Sequence, residues 1–190
     1  MGLRRIVTVE DDNPILRRET RLVRKVNRQV RKLLDDMVDT MRDADGVGLA
    51  GPQVGMDLRV CVVEVPVDYE DPDAETRVYQ LVNPQIVWAS DELEEGREAC
   101  LSIPKLFGDV PRHVQIRVTA LDRFGEPLDL ELSDFDARVF QHEIDHLDGR
   151  LFPDRVTGID KLYTLEDAPD GSVIRVPLAA VAEPAEPAPR

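Results

Sequence analysis

The stretch QHEIDHLDG, residues 141–149, combines a helical pattern with side chains that bind metals. His142 and His146 lie four positions apart, and residues i and i+4 of a helix share one face. Phe135 and Val139 extend that face with apolar side chains, and imidazoles buried among apolar groups need polar partners. The pattern therefore predicts a helix whose two histidines bind one divalent metal ion.

A hydrolytic metal site needs a third protein ligand and an open position for water. His113 is the one remaining histidine, and its place at the start of a predicted strand suggests the surface. Cys100 is the better candidate, because a thiolate binds a borderline-soft divalent ion strongly. A Cys/His/His set serves zinc or ferrous iron equally well, and the spacing does not choose between them. Glu143, next to His142, is the candidate general base and acid.

The rest of the chain predicts antiparallel strands and a second helix. Apolar positions at helical spacing predict a long amphipathic helix over residues 26–43. Apolar runs and alternating patterns predict strands at residues 58–65, 77–88, 114–121 and 128–132. The histidine helix begins at Ser133 or Asp134 and ends at Gly149, which are typical cap residues. We therefore expect an α+β fold with antiparallel sheets around a central HExxH helix and an N-terminal amphipathic helix.

Length and composition indicate one globular domain. The chain has 190 residues, 42% of them hydrophobic and 33% charged, which is enough for one core. No apolar run approaches the roughly 18–20 residues of a membrane span, and no signal peptide is recognisable, so we expect a cytoplasmic protein. Cys61, in a β-branched run, is expected to be a buried thiol. We expect a catalytic domain over residues 1–176 and a disordered Pro/Ala-rich tail over residues 177–190.

The net charge of −14 argues against broad binding to nucleic acids or membrane surfaces. Residues 17–32 are the exception, with eight basic residues and one acidic residue. A solvated helix face explains this basic segment, and a local contact with an anionic partner such as RNA is the alternative.

The glycine-rich stretch GVGLAG, residues 46–51, matches a dinucleotide-binding pattern only formally. It follows a predicted helix rather than a strand, and Pro52 interrupts it, so we exclude that fingerprint. Glycines also let a backbone approach a substrate closely, and the side-chain amide of Gln53 is able to stabilise an oxyanion. A plain turn explains the same residues equally well.

Three segments, in this order, closely resemble the signature motifs of the peptide deformylases: GVGLAGPQ (46–53), EACLS (98–102) and QHEIDH (141–146). These enzymes remove the N-formyl group from newly made proteins and release formate. The resemblance implies a divalent metal, Fe2+ foremost, with Zn2+, Ni2+ or Co2+ as substitutes. It implies N-formylmethionyl nascent peptides as substrates. We further expect a monomer that binds neither DNA nor a membrane, with the ribosome as a partner of the basic segment.

The resemblance also implies roles for individual residues. The metal ligands are Cys100, His142 and His146, and the general acid/base is Glu143. The oxyanion is stabilised by the Gln53 side chain and the Leu101 backbone N–H. The substrate backbone is held by Val47 and Gly48, and the methionine pocket is formed by Val47, Phe135, Val139 and the ring of His142.

Two positions depart from the family pattern, which usually has Ala where Gly51 stands and Gly where Ala99 stands. We expect Gly51 to loosen the loop that aims Gln53. We expect Ala99 to be strained, or to shift Cys100, if the family's glycine has a positive φ. Activity should be retained, because every group that contacts the metal or the transition state is present.

Two other functions fit parts of the sequence. An HExxH endopeptidase is disfavoured because its usual third ligand lies downstream of the motif, whereas Cys100 lies upstream. A formyl-peptide-binding protein with a structural metal is disfavoured because such sites are normally closed by four protein ligands, and three are found.

Overall fold

The computed structural model describes residues 2–71, 73–168 and 171–178. Its two α-helices are α1 (Arg28–Asp43) and α2 (Asp134–Leu147). Its strands are β1 (Gly48–Ala50), β2 (Val60–Pro66), β3 (Thr76–Ala89), β4 (Leu93–Cys100), β5 (Ile103–His113), β6 (Gln115–Leu121), β7 (Pro127–Ser133), β8 (Leu162–Asp167) and β9 (Val173–Pro177). Most of the predicted tail, residues 179–190, lies outside the described residues, so its disorder stays a prediction.

The strands form two antiparallel sheets. One has the order β1-β2-β3-β6-β7, and the other has the order β4-β5-β8-β9. Both sheets contact α2, which therefore lies at the centre of the domain. The apolar side chains Phe140, Ile144 and Leu147 of α2 pack in one cluster with residues of the five-stranded sheet. This arrangement confirms the predicted mixture of antiparallel sheets and two helices.

Helix α1 begins two residues after the predicted start, because Asn27 caps it. The Asn27 side chain accepts hydrogen bonds from the backbone N–H groups of Gln29 and Val30, which would otherwise lack helical partners. The buried residues Leu34, Met37 and others of α1 pack in one cluster with residues of β1 and β2. Helix α1 thus supports the strand pair that forms one wall of the site.

Helix α2 occupies the predicted position. Ser133 precedes it but makes no side-chain capping bond, so the acidic Asp134 and Asp136 in the first turn complement the helix dipole instead. Gly149 follows the helix with a φ of +70°, a conformation that favours glycine. A Cβ atom there would lie 2.8 Å from the backbone of Arg17, so the helix end also requires a residue without a side chain.

The sequence analysis did not predict the β4–β5 hairpin. In β4 the inward-facing positions include Gly96 and the buried Glu98 rather than apolar residues, so the pattern typical of a half-buried strand is missing. His113 was also placed wrongly: it ends β5 and is half buried, with its Nδ1 2.5 Å from the carbonyl oxygen of Ser90. Among the described residues, no helix combines the length and apolar composition needed to span a bilayer.

Candidate active site

A cleft of about 630 Å³ lies between the turn before β1 and the β4–β5 hairpin. Residues 45–48 line one part of it, and residues 97–101 and 103–107 line another. His142 and Glu143 of α2 also line the cleft. The two sheets and the central helix therefore bring all three sequence motifs to one place.

Three potential metal ligands converge here: Cys100 and His142 line the cleft, and His146 is buried next to them. The Sγ of Cys100 lies 3.2 Å from Nε2 of His146, and that nitrogen lies 3.3 Å from Nε2 of His142. All three ligand atoms lie within 4.8 Å of one another. A tetrahedral ion with bonds of about 2.0–2.3 Å separates its ligands by roughly 3.4–3.7 Å. The three atoms are therefore close to the positions that one divalent ion requires, and the donor set suits zinc or iron.

The three groups lie close enough to shift one another's pKa values. Burial favours the neutral thiol of Cys100, but the neighbouring His146 and His142 outweigh burial and hold its pKa well below the usual value. The pKa of His142 is well above its usual value despite burial, because Cys100 and Glu98 face it. The direction at Cys100 favours the thiolate, the form of cysteine that binds metals, and a bound cation would displace the proton of His142, because histidine binds metals as the neutral imidazole.

Glu98, which the sequence analysis did not assign a role, orients His142. Its Oε2 lies 2.8 Å from Nδ1 of His142, so Nδ1 is engaged and Nε2 is directed to Cys100 and His146. Carboxylates commonly hold metal-binding histidines in this way and increase their basicity. Glu98 is itself buried, because it follows the pleat of β4 toward α2.

Two buried arginines hold Glu98 in place. Arg112 of β5 donates to both carboxylate oxygens, at 2.8 and 2.9 Å, and Arg138 of α2 donates to Oε1 at 3.2 Å. Arg112 also donates to Asp145, which accepts two further hydrogen bonds from Arg155. Burial would raise the pKa of Glu98, but Arg112 and His142 lower it to about 2. We call Glu98, Arg112, Arg138 and Asp145 the buried ion network; Arg155, whose side chain is 38% exposed, pairs with it from the surface.

Glu143 is buried against the backbone of β1. A Cβ atom on Gly48 would overlap its carboxylate, so only glycine allows strand and side chain to lie this close. Burial raises the pKa of Glu143 to about 7, with His142 and His146 opposing the shift. Its Oε2 is buried, with no hydrogen-bond partner among the described residues. The carboxylate is therefore suited to exchange a proton with a ligand in the cleft.

The side chain of Gln53 is oriented by its own loop. Residues Gly51–Val54 form a 3-10 helix, and Oε1 of Gln53 accepts a hydrogen bond of 2.8 Å from the backbone N–H of Ala50. Its Nε2 is consequently turned toward the metal ligands and lies 3.5 Å from Sγ of Cys100. A plain turn does not account for this buried, oriented amide.

The two departures from the family pattern fit the structure. A Cβ atom on Gly51 would lie 2.5 Å from the carbonyl oxygen of Leu58, so glycine permits close backbone packing here, and a loosened loop stays a prediction. Ala99 lies in β4 opposite Phe107 and is not among the residues with positive φ. The expected strain at Ala99 was therefore wrong, because an extended strand accommodates alanine.

The predicted substrate-binding residues all line the cleft. Val47 and Phe135 are 46% and 43% exposed, whereas Val139 is 6% exposed and Gly48 is buried. Leu101 lines the same cleft, and a Cβ on Gly46 would come within 2.9 Å of its side chain. Apolar side chains thus line the same cleft as Cys100 and His142, as expected for a substrate with an apolar residue next to the reacting group.

The fold and the site define a metallohydrolase in which one cysteine and the two histidines of an HExxH helix surround a cleft. The sequence matches the family model for polypeptide deformylase over residues 3–162. The chain therefore belongs to the polypeptide deformylase family.

Individual relatives agree with this assignment. A peptide deformylase of Symbiobacterium thermophilum is 47% identical over 152 residues, which are 80% of this chain and 66% of that relative. The crystal structure of peptide deformylase from Thermotoga maritima has a TM-score of 0.73 and 36% identity, covering 83% of this chain and all of that chain. A Met-Ala-Ser-bound class I type b peptide deformylase from Acinetobacter baumannii has a TM-score of 0.73 and 34% identity, covering 82% and 99% of the two chains.

Proposed function

We propose that this protein hydrolyses the formamide at the N-terminus of formylmethionyl peptides and releases formate. The observation that carries the proposal is the cluster of Cys100, His142 and His146 at a cleft that Glu143 and Gln53 also line. This is the set of groups that hydrolysis of an amide requires: metal ligands, a proton carrier and a donor for the oxyanion. Family membership points to the same reaction.

Cys100, His142 and His146 would hold one divalent ion, for which we propose Fe2+ on the basis of the family resemblance. When bound, such an ion lowers the pKa of a water molecule and polarises a carbonyl group. The buried ion network contributes by directing His142 toward the ion site through Glu98. Zinc, nickel and cobalt suit the same donor set.

Glu143 would move the proton during the reaction. It takes a proton from the attacking water, which adds to the formyl carbon, and it then gives the proton to the leaving amine. The negative charge that develops on the formyl oxygen accepts hydrogen bonds from Nε2 of Gln53 and from the backbone N–H of Leu101. Because Ala50 already holds Oε1 of Gln53, the amide needs no reorientation during the reaction.

The substrate would bind as an extended strand beside Val47 and Gly48. The methionine side chain enters the apolar pocket of Val47, Phe135, Val139 and the His142 ring. The Met-Ala-Ser peptide named for the Acinetobacter baumannii structure begins with methionine, as a product of this reaction would. Peptides with this terminus arise during translation, so we place the reaction in the cytoplasm.

Formate release from a formyl-methionyl tripeptide tests this function. We expect rapid release by protein loaded anaerobically with Fe2+, and a measurable reaction with the Zn2+ form, because both ions suit the ligands. Removal of the metal with a chelator should abolish release, and re-addition should restore it. Absence of release by folded, metal-loaded protein would contradict the proposal and favour a peptide-binding role.

The basic segment, residues 17–32, supports a contact with ribosomal RNA. Arg17, Arg21 and Lys32 pair with aspartates, whereas Arg24 and Arg28 are exposed and form no ion pair among the described residues. We propose that these exposed cations, on a protein of net charge −14, contact phosphate groups of ribosomal RNA.

This contact predicts salt-dependent binding to purified ribosomes. Arg24→Glu/Arg28→Glu should abolish binding, because it reverses two charges and lowers the net charge of the segment by four units. Arg77→Glu/Arg150→Glu makes the same change outside the segment and should bind normally. Equal binding by both double variants would exclude the segment as the contact.

A further inference from the structure

The cleft has two cations at its outer part, on the β4–β5 hairpin. Arg97 and Lys105 both line the cleft and are exposed, and neither forms an ion pair among the described residues. On the other side, the cleft is lined by Asp45, the one acidic residue of that turn. The remaining carboxylates that line it are Glu98, which two arginines neutralise, and the catalytic Glu143.

The strand geometry turns Arg97 away from the buried ion network. Arg97 and Glu98 are adjacent in β4, so their side chains point to opposite faces, and Glu98 takes the buried one. The Arg97 guanidinium lies over the ring of Phe107, 6.0 Å from its centroid. This contact holds the cation beside the cleft at little cost in solvation.

The nearest cross-strand carboxylate does not neutralise Arg97. Asp109 stands opposite Arg97 in the β4–β5 register. Its carboxylate is already engaged, by Arg175 at 3.0 Å and by the hydroxyl of Tyr163 at 3.1 Å. Arg97 therefore retains its capacity to bind a carboxylate from elsewhere.

Lys105 lies near the tip of the hairpin. Its φ is +66°, a conformation that is unfavourable for residues other than glycine and asparagine. Glycine would satisfy the backbone better at this position, but it would not supply a charge beside the cleft.

The spacing along β4 relates these cations to a position in the substrate. Arg97 precedes the metal ligand Cys100 by three residues, or about 10 Å of extended strand. An extended substrate also advances about 3.3 Å per residue, so its third residue lies about 10 Å from its formyl group. A peptide that leaves the metal through the cleft, between Gly48 and the hairpin, brings its third side chain to the level of Arg97.

We propose that Arg97 and Lys105 make this enzyme prefer formylmethionyl peptides with an acidic third residue. The inference rests on the proposed function and adds a substrate preference to it. The protein as a whole, at −14, repels acidic peptides at long range, so the preference arises locally in the cleft. An aspartate or glutamate side chain forms a charge-assisted hydrogen bond with the guanidinium and attracts the ammonium.

The test compares kcat/KM for formyl-Met-Ala-Xaa-Ala-amide, where Xaa is Asp, Asn or Lys. The amide removes the terminal carboxylate, so any preference comes from the third side chain. We expect the Asp peptide to exceed the Asn peptide by about two- to fivefold, as for an exposed charge pair, and the Lys peptide to fall below both. In about 1 M salt, where the screening length falls to about 3 Å, the three values should converge.

Charge reversal identifies the residues responsible. Arg97→Glu/Lys105→Glu should invert the order, so that the Lys peptide becomes the best substrate. Arg77→Glu/Arg150→Glu carries the same change outside the cleft and should keep the wild-type order. Each ratio is measured on one enzyme sample, so partial unfolding or metal loss cancels.

The outcomes separate this inference from the proposed function. Hydrolysis of the Asn peptide with equal rates for Asp and Lys would leave the deformylase function intact and overturn the preference. A preference that survives reversal of both cations would also overturn it. If metal-loaded protein hydrolyses none of the peptides, the proposed function fails, and the inference fails with it.

Discussion

Glu143→Gln should reduce formate release by about 10²-fold or more, since general acid–base groups typically contribute about 10²–10⁴-fold. Glutamine keeps the size and one oxygen of the side chain but cannot accept and return a proton. The variant should fold normally, because the native carboxylate is buried and its Oε2 has no hydrogen-bond partner among the described residues. Its metal ligands are unchanged, so it should also retain a stoichiometric metal.

Three measurements on one sample decide this prediction: formate release, metal content by mass spectrometry, and thermal unfolding. Glu131→Gln, the same change at an exposed position of β7, is the control and should keep full activity. An inactive variant with normal metal and stability supports Glu143 as the proton carrier. Loss of fold and metal together would favour the structural-metal alternative, and full activity would exclude Glu143 from the reaction.

Glu98→Ala should lower the free energy of unfolding by about 3–5 kcal/mol, the usual result of removing one partner of a buried ion pair. The change removes the carboxylate that neutralises Arg112 and Arg138, which remain buried; their side chains are 4% and 10% exposed. It also frees Nδ1 of His142, which should weaken metal binding by about 10–100-fold. Urea unfolding of the metal-free protein and metal titration of the folded protein separate the two effects.

Asp129→Ala is the matched control for Glu98→Ala. Asp129 pairs with Arg117 at the surface, where both side chains are about half exposed, at 51% and 50%. Surface pairs contribute about 0–1 kcal/mol, so this variant should unfold at nearly the wild-type urea concentration. Similar decreases in the free energy of unfolding for Glu98→Ala and Asp129→Ala would contradict the view that the Glu98 pairs stabilise the protein because they are buried.

The buried ion network also predicts a direction for acid sensitivity. The pKa of Glu98 falls from 4.5 to about 2 on folding, so its contribution to stability is complete above about pH 4.5. This contribution should decrease as the pH falls from 4.5 toward 2. The stability of Glu98→Ala should therefore decrease less than that of the wild type over this pH range. Urea unfolding at several pH values measures this difference.

Much of the fold follows from local patterns. The amphipathic spacing of residues 26–43 and the alternation at 114–121 and 128–132 predict α1 and the β6–β7 hairpin, because one face of each element meets the core. The histidine helix is evident from its i, i+4 ligands. These features need only neighbouring residues, so the sequence alone was sufficient to predict them.

The β4–β5 hairpin was missed because its inward face pairs charges rather than apolar groups. Glu98 looks like a solvated residue in the sequence, and only Arg112 and Arg138, from β5 and α2, make its burial possible. Sequence spacing does not reveal such a contact, because its partners are 14 and 40 residues away. The orientation of His142 therefore depends on the tertiary structure.

The same holds for the positions that departed from the family pattern. The sequence identified Gly51 and Ala99 as unusual, but the direction of their effects depends on distant backbone. Gly51 leaves room for the carbonyl oxygen of Leu58, and Ala99 is accommodated by the extended strand opposite Phe107. Local residue types thus determined the two helices, the β6–β7 hairpin and the kinds of side chain available for catalysis. Packing between distant segments decided the pKa, the orientation and the surrounding space of each side chain in the cleft.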